Sequence, residues 1–304
     1  MDILVVGGTR FFGIPMIENL IQSGHSITIA TRGITKDRFG DAIERIIVKD
    51  IYNEQCAREA LGGLKYDVVI DKMGYGAGDV RNILENITCT RFVHMSTAGV
   101  YQLNHMGIHE DEFDACCGKI EWWHRGEASY DEVKRSAERV LAQQYPDITK
   151  ISVRYPFVIG ENDYTNRLKF YVSHVIGEVP MFIDNIDEQL CFIDEQTAGK
   201  MLAEIAVMDN EQLAYMIKKK GISKTNFLAI NGCLYDTISV SEILTYIEWR
   251  TGKKAIISEY AEPAPYNHTM SNSLDISMAQ MIRGKMPDVK KVMWKILDSY
   301  IDVG

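Results

Sequence analysis

Tyr130 and Lys134 stand four positions apart, in a segment (Glu127 to Gln144) that also spaces Val133, Ala137, Val140 and Leu141 at a helical interval. An i, i+4 pair shares one helix face, so the phenol and the ammonium reach the same ligand. A free phenol titrates near 10, and tyrosine moves protons near neutrality only when something stabilises its phenolate. The lysine supplies that charge. The same spacing recurs at Tyr215 and Lys219, as expected by chance among 15 tyrosines. Context separates the two: Tyr130 follows the strand ending in Ser96-Thr97 by a single loop, whereas Tyr215 adjoins Lys218-Lys219-Lys220 and Gly221, which read as a solvated helix end. Thr97, Tyr130 and Lys134 are the candidate catalytic residues. Their chemistry is proton transfer paired with a hydride carried by a bound cofactor.

Such a pair needs a cofactor cradle, and the start of the chain has the pattern of one. Ile3 to Val6 reads as a buried parallel strand, Gly7-Gly8-Thr9-Arg10-Phe11-Phe12-Gly13 as a glycine turn, and Ile14 to Gln22 as a helix. That succession aims backbone N–H groups at a pyrophosphate. Further short apolar runs at Ser26 to Ala30, Arg45 to Val48, Val68 to Asp71, Arg91 to Met95 and Ile151 to Arg154 alternate with helical patterns. The alternation predicts parallel βαβ units, an α/β doubly wound sheet of Rossmann type, with Gly7, Thr31-Arg32, Asp50, Asp71 to Met73 and Thr97 at the ligand-bearing strand ends. The rhythm breaks after Arg154. A dinucleotide-binding domain over 1–155 and a smaller, mainly substrate-binding part over 156–304 follow, with 189–208 and 226–230 returning to the first sheet. Asp194 precedes an apolar periodic run as a helix cap would, Ser239 to Thr251 has a helix pattern, and strand-borne His94 reads as structural. Trp122 and Trp123 precede the Tyr130 helix and either line the site or staple that helix to the sheet.

The chain has 304 residues, 46% of them apolar, and a formal net charge of −9, which disfavours nucleic-acid binding. The first apolar run is too short for a membrane span and lacks the basic region of a signal sequence, so a cytoplasmic protein with no membrane partner is expected. Six scattered cysteines without a Cys-x-x-Cys pair predict reduced thiols and no metal site, Cys116-Cys117 being an incidental neighbour pair.

The glycine turn, Asp50-Ile51, Tyr66 to Asp71, Phe92 to Tyr101, Tyr130 to Lys134 with Glu138, Arg154 to Gly160 and Phe192 to Asp194 together resemble the extended or atypical short-chain dehydrogenases/reductases, the NAD-dependent epimerase/dehydratase group. The resemblance implies that Thr97 polarises a substrate oxygen, Tyr130 transfers the proton, and Lys134 holds the nicotinamide ribose and lowers the phenol pKa. It implies cofactor contacts from Gly7, Thr9, Arg10, Phe11, Phe12, Gly13, Arg32, Asp50, Ile51, Met73, Tyr155 and Pro156. Arg154, Asp163, Arg167, Lys169 and Gln189 fall where the family binds its second ligand, a small sugar-like molecule. Arg154, at a strand end, is equally consistent with a structural ion pair. A homodimer is compatible with this reading.

Three departures narrow the function. Arg10 stands where the family has its middle glycine, and could set a guanidinium beside the cofactor phosphates or simply face solvent. Ala30-Thr31-Arg32-Gly33 lacks the carboxylate that meets a ribose hydroxyl, so NADP is preferred and NAD permitted, with Lys36 and Arg38 near enough to assist. Ala98 and Gly99 replace the acidic pair of 4,6-dehydratases and leave epimerisation or carbonyl reduction. The alternative is a nucleotide-sensing or RNA-associated protein on the same fold. Such a protein would have lost the Tyr-Lys pair and gained a basic face; this chain keeps the pair and is acidic.

Overall fold

The computed structural model describes residues 1–102, 104–219 and 225–302. Lys220 and Gly221 of the basic run lie outside the described residues. The strands are β1 (Asp2–Val6), β2 (Ser26–Thr31), β3 (Glu44–Ile47), β4 (Leu64–Asp71), β5 (Ile87–Thr97), β6 (Thr149–Tyr155), β7 (Phe157–Ile159), β8 (Met181–Phe182), β9 (Phe192–Asp194), β10 (Phe227–Asn231) and β11 (Glu262–Pro263). The α-helices are α1 (Gly13–Gln22), α2 (Glu54–Leu61), α3 (Ala77–Leu84), α4 (Tyr130–Gln143), α5 (Arg167–Gly177), α6 (Glu195–Val207), α7 (Asn210–Lys219), α8 (Val240–Thr251), α9 (Ser277–Arg283) and α10 (Val289–Ile301).

Seven strands form one parallel sheet in the order β10-β6-β5-β4-β1-β2-β3. Its central strands are apolar on both faces because helices cover both. Met16, Leu20, Met201 and Leu202 from α1 and α6 pack one face; Leu61, Ile83, Val140 and Leu141 from α2, α3 and α4 pack the other. The α1–α6 contact is close enough that a Cβ on Gly199 would fall 2.8 Å from the Met16 amide nitrogen. A separate core joins α5, α8 and α10 through Tyr171, Val175, Ile243, Ile247, Met293 and Leu297.

The strand order reverses between β1 and β4, which opens a crevice beyond their C-terminal ends. Gly7 follows one of these strands and Lys72 the other. The 189–208 segment differs from expectation in one respect. Its strand β9 pairs with β7 in a separate two-stranded sheet, while its helix α6 does return to cover the main sheet; β10 takes the edge beside β6. Asp194 caps α6, its Oδ1 accepting from the Gln196 and Thr197 amides at 3.0 Å each. No helix among the described residues is long and apolar enough to cross a membrane.

Candidate active site

A cavity of about 640 Å³ fills the crevice, lined by Gly7, Thr9, Arg10, Phe11 and Phe12 of the glycine turn, Arg32 after β2, Asp50 and Ile51 after β3, and Met73 after β4. The turn can take this course only through its glycines: Gly7 and Gly8 sit at φ +89° and +99°. Gly13 opens α1, and a Cβ there would meet the Gly8 carbonyl oxygen and lie 2.6 Å from the Lys72 ammonium. Phe12 caps the helix without any side-chain hydrogen bond, and the first turn holds no acidic residue. An uncapped helix start behind a glycine turn that has no room for a side chain fits a dinucleotide pyrophosphate.

A second cavity, about 550 Å³, shares Phe11, Phe12, Tyr75, Met95 and Tyr164 with the first and contains Thr97, Tyr130, Tyr155, Pro156 and Arg167. Thr97 ends β5 and its hydroxyl accepts the Gly99 amide at 3.1 Å. Tyr130 is the first residue of α4, which Ser129 caps. Tyr130 keeps 51% of its surface exposed, but desolvation of the phenol raises its pKa to about 12, a shift the Thr97 hydroxyl partly offsets. Lys134, one turn on, is fully buried; its Nζ donates to the carbonyls of Gly74 (3.0 Å) and Met95 (2.8 Å), and burial lowers its pKa to about 8. The expected lysine-driven lowering of the phenol is therefore not seen. The ammonium is spent on two carbonyls, and the Tyr75 ring, 4.9 Å from Nζ, also packs edge-on against Tyr130.

The structure corrects several expectations. Arg154 is not a substrate clamp: it has no exposed surface, and all five of its N–H donors are taken by Glu138 (2.6 to 3.1 Å), Tyr101 (2.8 Å) and the carbonyls of Glu110 (2.7 Å) and Phe113 (3.2 Å). Asp163 lies behind the cavity wall, where it takes the Thr165 amide and hydroxyl and pairs with Arg167 Nε at 3.7 Å. Gln189 belongs to neither cavity; its amide donates to Ser271 and its side-chain carbonyl accepts from Thr237. Arg10 stays in the wall of the first cavity with its Nε donating to Thr35, another lining residue, at 3.0 Å, whereas Arg38 is outside the cavity lining and pairs with Glu18 (2.6 Å). Tyr155 lines the second cavity, but its hydroxyl points to the Ala198 carbonyl (2.8 Å). Trp122 and Trp123 line neither cavity and contact α3 rather than joining the Tyr130 helix to the sheet: Trp122 packs on Arg81, and the Trp123 carbonyl takes the Gly78 amide. His94 pairs with Asp71 at 3.1 Å in the fully buried interior, as its strand position predicts.

Four residues not assigned a ligand contact by the sequence reading, one of them within the Asp71 to Met73 strand end, also face these cavities. Lys72 and Arg125 line the first, and Arg125 stacks 4.4 Å over Tyr75. Asp131 is the only carboxylate among the residues lining the second, and Tyr164 lies between the two. Lys72 had a signal, since it directly follows the strand end at Asp71. Arg125 had none, because a long loop carries it back across α3, where His124 pairs with Asp79 at 2.8 Å.

The seven-stranded parallel sheet with helices on both faces is a Rossmann-type fold. Residues 3–190 match the model of the NAD dependent epimerase/dehydratase family, and the chain belongs to that family. It is 31% identical over 201 residues to the chloroplast stem-loop binding protein of 41 kDa b of Arabidopsis thaliana, which covers 62% of this chain and 50% of that protein. The chain thus spans about half the length of this curated relative. Solved structures with the same fold include MoeE5 in complex with UDP-glucose and NAD (15% identity, TM-score 0.72, covering 100% of this chain and 99% of that one). They also include UDP-glucuronic acid 4-epimerase from Bacillus cereus with NAD (16%, TM-score 0.70, 100% and 99%). UDP-glucose 4-epimerase with UDP-glucose from Thermotoga maritima is a third (14%, TM-score 0.71, 100% and 99%).

Proposed function

We propose that the protein is an oxidoreductase or epimerase that transfers a hydride at a carbinol or carbonyl carbon of a sugar-like substrate, a nucleotide sugar being the leading class. The observation that carries this reading is the adjacency of the two cavities: Thr97 and Tyr130 line the one that shares a wall, formed by Phe11, Phe12, Tyr75, Met95 and Tyr164, with the glycine-turn cavity. Gly7, Thr9, Phe11, Phe12, Gly13, Asp50, Ile51 and Met73 hold the dinucleotide, which when bound supplies the hydride acceptor and donor. Tyr130 passes a proton to or from the substrate oxygen, and Thr97 orients that oxygen. Lys134 lines neither cavity; from beneath the floor formed by Met95 and Tyr75 it supplies positive charge rather than a direct contact to the cofactor ribose. Residues 156–304 supply most of the substrate side. Arg167 lines that cavity, with donors to Thr165 (2.9 Å) and the Val158 carbonyl (3.0 Å), and is the cation assigned to a substrate diphosphate. Ala98 and Gly99 carry no acid, which supports epimerisation or reduction over 4,6-elimination.

Native mass spectrometry of the purified protein, followed by NMR of UDP-glucose and UDP-glucuronate incubated with each nicotinamide dinucleotide, tests the reading. A bound dinucleotide and a product epimer or reduced sugar are expected. Tyr130→Phe should lower turnover by about a hundredfold or more while cofactor binding persists. Near wild-type rates in that variant would remove Tyr130 from the mechanism, and a 4-keto-6-deoxy product would reinstate elimination with Asp131 as its only carboxylate. The name of the Arabidopsis relative favours a second reading, nucleic-acid binding. Retention of a stem-loop RNA at physiological salt, without bound dinucleotide, would support it.

A further inference from the structure

Lys72 extends from the end of β4 beneath the glycine turn. Its Cβ lies 3.6 Å from where Gly7 would place a Cβ, its Nζ 2.6 Å from the corresponding point at Gly13, and Nζ sits 3.8 Å from the centre of the Phe12 ring. Its backbone amide donates to the Val6 carbonyl at 3.1 Å, but among the described residues its ammonium has no carboxylate, hydroxyl or carbonyl partner and rests on the Phe12 ring face. A largely buried ammonium without a counter-ion costs free energy. Here that ammonium faces the start of α1, where the helix dipole is also positive and neither a cap side chain nor an acidic residue compensates it. Two positive elements set against each other at the wall of a cavity are stabilised by an anion seated between them. Arg10, the cation of the turn itself, lines the same cavity with its Nε held by Thr35, and among the described residues its guanidinium makes no hydrogen bond to α1.

We propose that Lys72 is the phosphate-anchoring residue of the glycine-turn cavity. Its ammonium pairs with a diphosphate at the start of α1 and replaces the close backbone approach that Arg10, in place of glycine, gives up. A lysine acts on phosphate as a compact point charge, so the site reads the diphosphate itself rather than the nucleoside beyond it. The inference rests on the dinucleotide reading of the first cavity and assigns it a residue; no step of the reaction changes.

The test is titration calorimetry on the wild type, Lys72→Met and Lys72→Arg with NAD, NADP, ADP-ribose, inorganic pyrophosphate and adenosine. Lys72→Met should weaken every diphosphate-bearing ligand by roughly tenfold to a hundredfold, leave adenosine unchanged, and be partly rescued in Lys72→Arg. Binding of ADP-ribose by Lys72→Met within about twofold of wild type overturns the inference while leaving the dinucleotide reading intact. Wild-type binding of pyrophosphate but of neither dinucleotide, with the loss still seen in Lys72→Met, keeps the inference and removes the dinucleotide reading. No wild-type binding of any of these anions removes both. A wild-type measurement covers the case of a misfolded variant: lysine labelling read by mass spectrometry should show Lys72 protected by ADP-ribose and not by adenosine, and equal labelling with either overturns the inference.

Discussion

Arg154 and Arg167 show how far residue type alone carries. Arg154 stands near the end of β6 and Arg167 opens α5, and both fit a diphosphate clamp by sequence; burial divides them. Arg154 is enclosed with Glu138, Ser96 and Tyr101, whereas Arg167 faces the second cavity with part of its fork in use. Breaking a buried pair strands the partner charge, so Arg154→Ala should cost about 3 to 5 kcal/mol in urea unfolding. Arg167→Ala removes the cation beside the buried Asp163 carboxylate and should cost about 1 to 3 kcal/mol, less than Arg154→Ala, while also weakening substrate. A loss below about 1 kcal/mol in Arg154→Ala would return that residue to the list of ligand contacts. The same distinction explains what was legible at the site. Thr97, Tyr130 and the glycine turn are tied to strand and helix ends, so spacing located them; the directions taken by Arg10, Gln189 and Lys134 depend on partners 25 to 60 positions away that no local pattern encodes.

At the scale of elements, the strands were the easiest part to anticipate. A strand buried on both faces must be a continuous apolar run, and Ile3 to Val6 or Val68 to Asp71 admit little else. The break after Arg154 was equally clear, but its consequence was not: β7 leaves the main sheet directly after Pro156, which cannot donate to a ladder, and takes β9 with it. The helix that follows β9 was anticipated from its cap. Asp194 accepts two first-turn amides of α6, and α6 packs on α1 directly behind the glycine turn. Asp194→Ala should therefore lower stability by about 1 kcal/mol, moving the urea midpoint without changing the slope. An unchanged midpoint would mean that packing on α1 holds the start of α6 without its cap.

Over the whole molecule, charge is divided unevenly. The chain carries −9, yet the residues lining the first cavity include Arg10, Arg32, Lys49, Lys72 and Arg125 against Asp50 alone. An acidic surface around a basic cleft repels polyanions from most of the protein and concentrates a small anion where the cations converge. Within that cleft Arg32 follows β2, where Thr31 supplies no carboxylate, and among the described residues nothing pairs with its guanidinium. Arg38 is paired with Glu18, whereas Lys36 and Lys49 are exposed, so Arg32 is the cation best placed after β2 for a 2′-phosphate. Exposure and screening beyond about 8 Å at physiological salt keep its effect modest. Calorimetry should give about a tenfold preference for NADP over NAD, shrinking as salt is raised, and Arg32→Asp should reverse it. Equal affinities in the wild type, or a preference that survives the substitution, would make Arg32 a bystander and leave the cleft reading only the diphosphate that both cofactors share.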